Sequence, residues 1–298
     1  MMDGVLIIDK PAGPTSHDVV GRVRRIFNTR KVGHTGTLDP FATGVMVVLV
    51  GKATRLARFV DKDVKEYEAA IRFGIATDTG DLTGKPMGEP QRHNITAAEI
   101  EEVLDGFRGE IMQVPPMYSA KKVDGRKLYE LARRGEEVER KAVPVTIRKI
   151  EVISAGNDPS GIQRLRVCCS AGTYIRTLAE DIAKALCTAA HLTELRRTAS
   201  GRFSLEGSVT LDALADAAHP AKHLLPIEVM VEHLPRFVLN KEREKATLNG
   251  LSSRVYDQEY VTGEDVAMFT EENELVAVGT YHADENSIRP TLVLGGNK

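Results

Sequence analysis

Two rhythms of apolar residues organise the first half of the chain. The stretch GVLIIDK, closed at Lys10-Pro11, and the run GVMVVLVG from Gly44 to Gly51 are short and mostly β-branched, which is the pattern of buried strands. Between them, SHDVVGRVRRIFN sets Val19, Val23, Ile26 and Phe27 on one helical face, with Ser16 available as N-cap and Arg22, Arg24 and Arg25 largely outside it. EYEAAIRFG then alternates with period two, so Tyr67, Ala69, Ile71 and Phe73 share the inner face of a strand that Tyr67 opens. TAAEIEEVLDGFRG returns to helical spacing, with a Thr96/Glu99 capping box, a stripe of Ile100, Val103, Leu104 and Phe107, and Gly109 as a stop.

The second half continues the mixture. RKLYELARRGE predicts a cation-rich helix, RLRVCCS a strand, SAGTYIRT a turn, and LAEDIAKAL a helix with Leu178, Ile182 and Leu186 inward. There is no regular βα alternation, so the expected class is α+β with a mixed, mainly antiparallel sheet. Three prolines and a change of charge sign between His219 and Pro235 suggest a linker. Beyond it NKEREKATLNG predicts a short helix, and VAMFTEENELVAVG a hairpin turning near Glu272-Asn273, within a small β-barrel-like domain. The predicted division is residues 1–230 and 235–298.

Composition narrows the class. The 298 residues are 42% hydrophobic and 28% charged, as in ordinary globular proteins, and the length allows two domains. The longest apolar run, Val45 to Val50, is far below the roughly 20 residues that span a bilayer, so no membrane segment is expected. The N-terminus lacks a basic start and a long apolar core, which predicts a cytoplasmic chain. Cys168, Cys169 and Cys187 form no metal-ligand spacing and read as buried apolar filler. The net charge of −2 conceals segregation. From Met1 to Val60, and again from Ser119 to Lys149, basic residues outnumber acidic ones about two to one, while the last 64 residues are acidic overall. Two basic segments on a near-neutral protein can form one face for a polyanion; solvated helix faces are the other reading.

The chemistry concentrates in RKVGHTGTLDPFATG, directly ahead of the second strand. Gly33, Gly36 and Gly44 surround Asp39, and Pro40 restrains it, so the loop is built to fix one carboxylate. A fixed carboxylate at a strand mouth is a candidate nucleophile, although composition alone also describes a plain Asp-Pro turn. Lys31 and His34 do not make a phosphate loop, because neither GxxxxGK[ST] nor GxGxxG is present. A glycosidase would need a second carboxylate; Asp78 and Asp81 in ATDTGDLTG are available, in a composition that also marks a turn. No GxSxG elbow occurs.

Five segments, GVLIIDKPAGPTSHDVV, KVGHTGTLDPFATGVMVVLVG, KEYEAAIRFGIATDTGDLTG, PPMYSAKKVDGRKLYELARRG and CSAGTYIRTLAEDI, stand in an order and spacing that closely resembles the bacterial tRNA pseudouridine synthase B family. The resemblance covers roughly the first 230 residues, and the tail resembles that family's PUA-type RNA-binding domain. It implies isomerisation of the T-loop uridine of tRNA, position 55, with tRNA as partner, no cofactor, no metal and a monomeric enzyme. By the same resemblance Asp39 is the catalytic aspartate and Arg176 its arginine partner, bidentate if geometry permits, keeping Asp39 ionised and aimed. Tyr67 stacks on the target base and takes the C5 proton. His34 helps open the T-loop, Tyr174 lies beside Arg176, and Leu195 lines the uracil pocket. Taken singly, Tyr67 and Leu195 also read as packing and His34 as a loop histidine. A non-catalytic tRNA-binding or folding protein, or a guide-RNA scaffold, is the alternative; Asp39 is what a pure binder would not need.

Overall fold

The computed structural model describes every residue except 1, 61–63, 120, 124, 133, 154–159, 257–258 and 296–298. Among the described residues, one sheet of ten strands carries the first 210 positions. Its strands are β1 (Gly4–Lys10), β2 (Val32–His34), β3 (Thr43–Val50), β4 (Lys65–Phe73), β5 (Gly109–Gln113), β6 (Val143–Val152), β7 (Ile162–Cys169), β8 (Ala190–Ser200), β9 (Phe203–Ser204) and β10 (Val209–Thr210). The spatial order is β10-β1-β3-β8-β4-β7-β6-β5, with β2 paired to β3 and β9 to β8. Only β1 with β10 and β3 with β8 run parallel, so the expected α+β class with a mainly antiparallel sheet holds.

The parallel junction positions the site. β3 and β8 pair only through Thr43 and Gly44 against Arg196 and Arg197, so the sheet is nearly divided into two halves. Each half has its own helical cover. Helix α1 (Ser16–Ile26) buries Val19, Val20 and Val23 against Ile8 and Val48. Helices α2 (Ala97–Leu104) and, after the single turn α3 (Leu128–Ala132), α4 (Ile175–Ala185) bury Ile100, Leu104, Leu178 and Ile182 against Ile71 and Phe73. Period two along β4 places Tyr67, Ala69, Ile71 and Phe73 inside, as predicted.

Several boundaries differ from expectation for local reasons. The cap of α1 is Thr15, which shares a capping box with Asp18; Ser16 instead turns inward and bonds Leu38. Tyr67 does not open β4, which begins at Lys65. Gly109, with φ +83°, does not merely end α2; after a 3-10 turn it begins β5. The cation-rich helix is only five residues long, and part of that basic segment lies outside the described residues. α4 starts at Ile175, inside the stretch read as a turn. Of the cysteines, Cys169 is buried, its thiol pushed up to about 12 by burial, but Cys168 is half-buried and Cys187 is exposed at φ +53°, so the filler reading fits only the first.

The predicted linker is packed rather than loose. Residues 219–235 form two short 3-10 turns, Pro220–His223 and Ile227–Met230, after helix α5 (Leu211–Asp216), and Leu225 bridges to Val5 of β1. Met230 and Val231 are buried in a cluster that joins Ile7, Leu49 and Leu56 to Phe269, Leu275 and Val278. The second sheet comprises β11 (Arg236–Leu239), then, beyond helix α6 (Lys241–Leu248), β12 (Ser253–Arg254), β13 (Asp265–Thr270), β14 (Leu275–His282) and β15 (Ser287–Val293). Its order is β11-β13-β14-β15-β12, and the predicted hairpin turns at Asn273, φ +71°. No helix of the described residues is long and apolar enough to cross a membrane.

Candidate active site

The loop before β3 is held from three directions. From β1, the buried Lys10 ammonium donates to the carbonyls of Pro11 (2.8 Å), Pro40 (3.1 Å) and Ala42 (2.7 Å). From α1, the Ser16 hydroxyl accepts from the Leu38 amide (2.8 Å) and donates to the Leu38 carbonyl (3.0 Å). The Gly13 amide donates to Pro40 (2.8 Å), and the Thr35 amide to Val47 of β3 (3.2 Å). Gly44 closes the loop at φ +99°, where a Cβ would run into the Arg197 backbone; only glycine lets β3 and β8 meet there.

Asp39 therefore stands at the seam between the half-sheets. Its Oδ2 accepts from Arg176 Nε at 2.9 Å. Arg176 sits in the first turn of α4 and is buried, and its two terminal nitrogens donate to the carbonyls of Thr79 and Tyr118, each at 2.7 Å. The expected bidentate pair is thus a single contact, because the rest of the fork is committed to backbone. Asp81 Oδ2 lies 3.9 Å from the same Nε, and the carboxylate is fixed through its other oxygen, Oδ1, which accepts from the Thr79 hydroxyl, the Thr83 amide and the Thr83 hydroxyl. One cation faces two carboxylates. Burial raises the Asp39 pKa, Arg176 opposes the rise, and the Asp81 charge adds to it, with a net upward shift. Arg176 thus aims Asp39 through one hydrogen bond, while lost solvation, with the Asp81 charge adding to it, makes ionising the carboxyl harder than in water.

Two cavities share Asp39 and Arg176. The inner one, about 310 Å³, is walled by Tyr67, Tyr174, Leu195 and Arg197. Tyr67 and Leu195 come from adjacent strands, where Leu195 pairs with Ala69. Tyr174 caps α4, and its backbone is clamped by Gln113, which accepts from the Tyr174 amide at 2.7 Å and donates to its carbonyl at 3.0 Å. Burial raises the Tyr67 pKa, with Arg197 opposing, so the resting side chain is a neutral phenol. The outer cavity, about 590 Å³, is lined by His17, His34, Phe41, Tyr118 and Tyr129. Burial, with His17 and Arg197 adding to it, lowers the His34 pKa, and Nδ1 of His34 is buried without a hydrogen-bond partner among the described residues. The structure thus gathers Asp39, Tyr67, Tyr174, Arg176 and Leu195 around one cavity and places His34 on its neighbour.

Two of the surrounding residues escaped the sequence reading, and a third was read only as a turn residue or glycosidase partner. Lys10 ends an apolar strand and is wholly buried; burial lowers its pKa to about 8 against the pull of Asp39. Arg197 is buried, with Nε donating to Val45 (2.7 Å) and Nη2 to Gly36 (3.2 Å). Strand alternation was the available signal, since Arg197 lies two residues from Leu195 and so on the same face. Asp81 was visible only as part of a Thr/Gly/Asp turn.

The chain is similar to known proteins over most of its length. Residues 24–175 match the family described as TruB family pseudouridylate synthase (N terminal domain), and residues 176–232 match the tRNA pseudouridylate synthase B C-terminal domain. The chain is 41% identical to tRNA pseudouridine synthase B of Bacillus subtilis (strain 168), covering 99% of this chain and 98% of that protein. It is 48% identical to tRNA pseudouridine synthase B of Solibacter usitatus (strain Ellin6076), over 76% of this chain and 79% of that one. Among solved structures, a chain in the crystal structure of a Cbf5-Nop10-Gar1 complex superposes with a TM-score of 0.75 at 31% identity, covering 99% of this chain and 85% of that chain.

Proposed function

The chain belongs to the TruB family of pseudouridylate synthases, and from that premise we propose that it is a tRNA pseudouridine synthase, an isomerase converting the T-loop uridine at position 55 to pseudouridine. The observation that carries this reading is a carboxylate fixed by a buried arginine at the junction of two cavities, one of them faced by a tyrosine and a leucine. Isomerisation breaks C1′–N1, turns the uracil within the site, forms C1′–C5 and releases the C5 proton as N1 takes up one. The proposed sequence begins with flipping of the uridine from its stack, at a cost of a few kcal/mol. The base enters the inner cavity, stacks on Tyr67 and touches Leu195. Asp39 acts on the ribose side of the breaking bond while Arg176 keeps it aimed. As a neutral phenol, Tyr67 takes the C5 proton only as it hands its own hydroxyl proton on to solvent in the cavity, so it relays the proton rather than storing charge. His34 and the outer cavity receive the opened T-loop, whose unstacked bases offer edges for readout. Residues 1–230 serve as the catalytic unit, and the second sheet, 235–298, as a PUA-type RNA-binding unit. On this reading the chain is a monomer acting on tRNA in the cytoplasm.

The test is tRNA tritiated at uridine C5. Wild type releases tritium; Asp39→Asn loses release by about a thousandfold or more while still binding tRNA. Binding without release by either protein would leave only the non-catalytic reading. Because the net shift of Asp39 is upward, its ionised form costs the fold stability above the unfolded pKa, so Asp39→Asn is expected not to lower Tm.

A further inference from the structure

Ser119 occupies a position that the proposed mechanism does not use. It is 5% exposed, and its Oγ has no hydrogen-bond partner among the described residues. Its backbone is fixed on both sides: its amide donates to Met117 (3.0 Å) and its carbonyl accepts from Tyr129 (3.1 Å). The preceding carbonyl, Tyr118, accepts from Arg176. Ser119 walls both cavities, as Asp39 and Arg176 also do. An orphaned buried hydroxyl costs folding free energy, and a ligand that offered it a partner would recover that cost.

We propose that the Ser119 hydroxyl donates a hydrogen bond to the ribose 2′-oxygen of the flipped nucleotide, making it the contact that distinguishes ribose from deoxyribose at the target. This rests on the reading that the site isomerises a flipped uridine. With the base in the inner cavity and the RNA chain in the outer one, the sugar must lie at the junction, and C1′ must lie beside Asp39. The oxygen on the neighbouring carbon is the 2′-hydroxyl. Ionised Asp39 is acceptor-only, so it accepts the hydrogen bond that the 2′-hydroxyl donates and leaves that oxygen's lone pairs to a donor. Ser119 is such a donor, on a wall common to both cavities.

The experiment compares two T-arm RNAs, identical except that the target uridine is ribose or 2′-deoxyribose, with wild-type protein and Ser119→Ala. Dissociation constants and Tm are read for each pair. The expected result is a loss of roughly fivefold to tenfold in affinity for the ribose RNA, no loss for the deoxy RNA, and a Tm that does not fall. Equal losses on both RNAs, no loss on either, or a lowered Tm would overturn the assignment, since each points to packing or to a different atom. Tritium release from the ribose RNA by wild type is followed in parallel: its absence would sink the functional reading, whereas release with unaltered discrimination in the variant would sink only the role of Ser119.

Discussion

The Asp39 loop and the β13–β14 hairpin are both short connections entering apolar strands, yet they are stabilised in opposite ways. The hairpin is local: strands Asp265–Thr270 and Leu275–His282 pair directly, Asn273 supplies the positive φ, and Phe269, Leu275 and Val278 bury apolar surface. The loop is non-local and polar. Lys10, Ser16, Arg176 and Arg197 reach into its surroundings from four different elements, and it keeps a carboxylate whose ionisation is penalised. The lesson is that the hairpin minimises free energy, whereas the loop accepts buried charge to hold one group in place.

Breaking the loop should have the larger effect. Lys10→Met removes the donor shared by three carbonyls while keeping the apolar stem, and is expected to cost about 3 kcal/mol or more in urea unfolding. The single-turnover rate should fall more than tRNA affinity, because Asp39 loses its aim; an unchanged rate in the folded variant would show that the loop is held without Lys10. Leu275→Ala in the hairpin should cost about 2–3 kcal/mol through cavity formation and leave the single-turnover rate at saturating tRNA unchanged. A matching loss of rate there would erase the distinction between the two regions. The smallest effect sharpens the electrostatics. The proposed mechanism uses ionised Asp39, so the rate is expected to fall as pH drops through its raised pKa; Asp81→Asn removes a like charge, lowers that pKa, and should move the acid limb of the pH-rate profile to lower pH. Movement to higher pH would mean that Asp81 acts through Arg176 position rather than charge.

Much of this architecture is legible residue by residue. The period-two run from Tyr67 to Phe73 and the Thr96/Glu99 capping box are local devices, and both stand where the pattern put them. Ser16 shows how local reasoning misses: it is a good cap residue, but the neighbouring Thr15 caps, leaving Ser16 to bind a loop 22 residues away. The segment between His219 and Pro235 reads as a linker from its prolines and change of charge sign, whereas Met230 and Val231 bury it in a cluster shared by the two sheets.

Alternation, capping and turn chemistry are short-range, so the chain alone fixes which segments become strands and helices, where β14 turns back, and that Asp39 sits in a constrained loop. What surrounds Asp39 depends on the two-residue seam between β3 and β8, formed by segments about 150 positions apart. Tertiary packing decides that Arg176 divides its guanidinium between one carboxylate and two carbonyls, that the Asp81 charge helps push the Asp39 pKa up, and that the Ser119 hydroxyl has no partner among the described residues. Charge, solvation and hydrogen-bond satisfaction act through space, and the sequence order of the groups does not contain those distances.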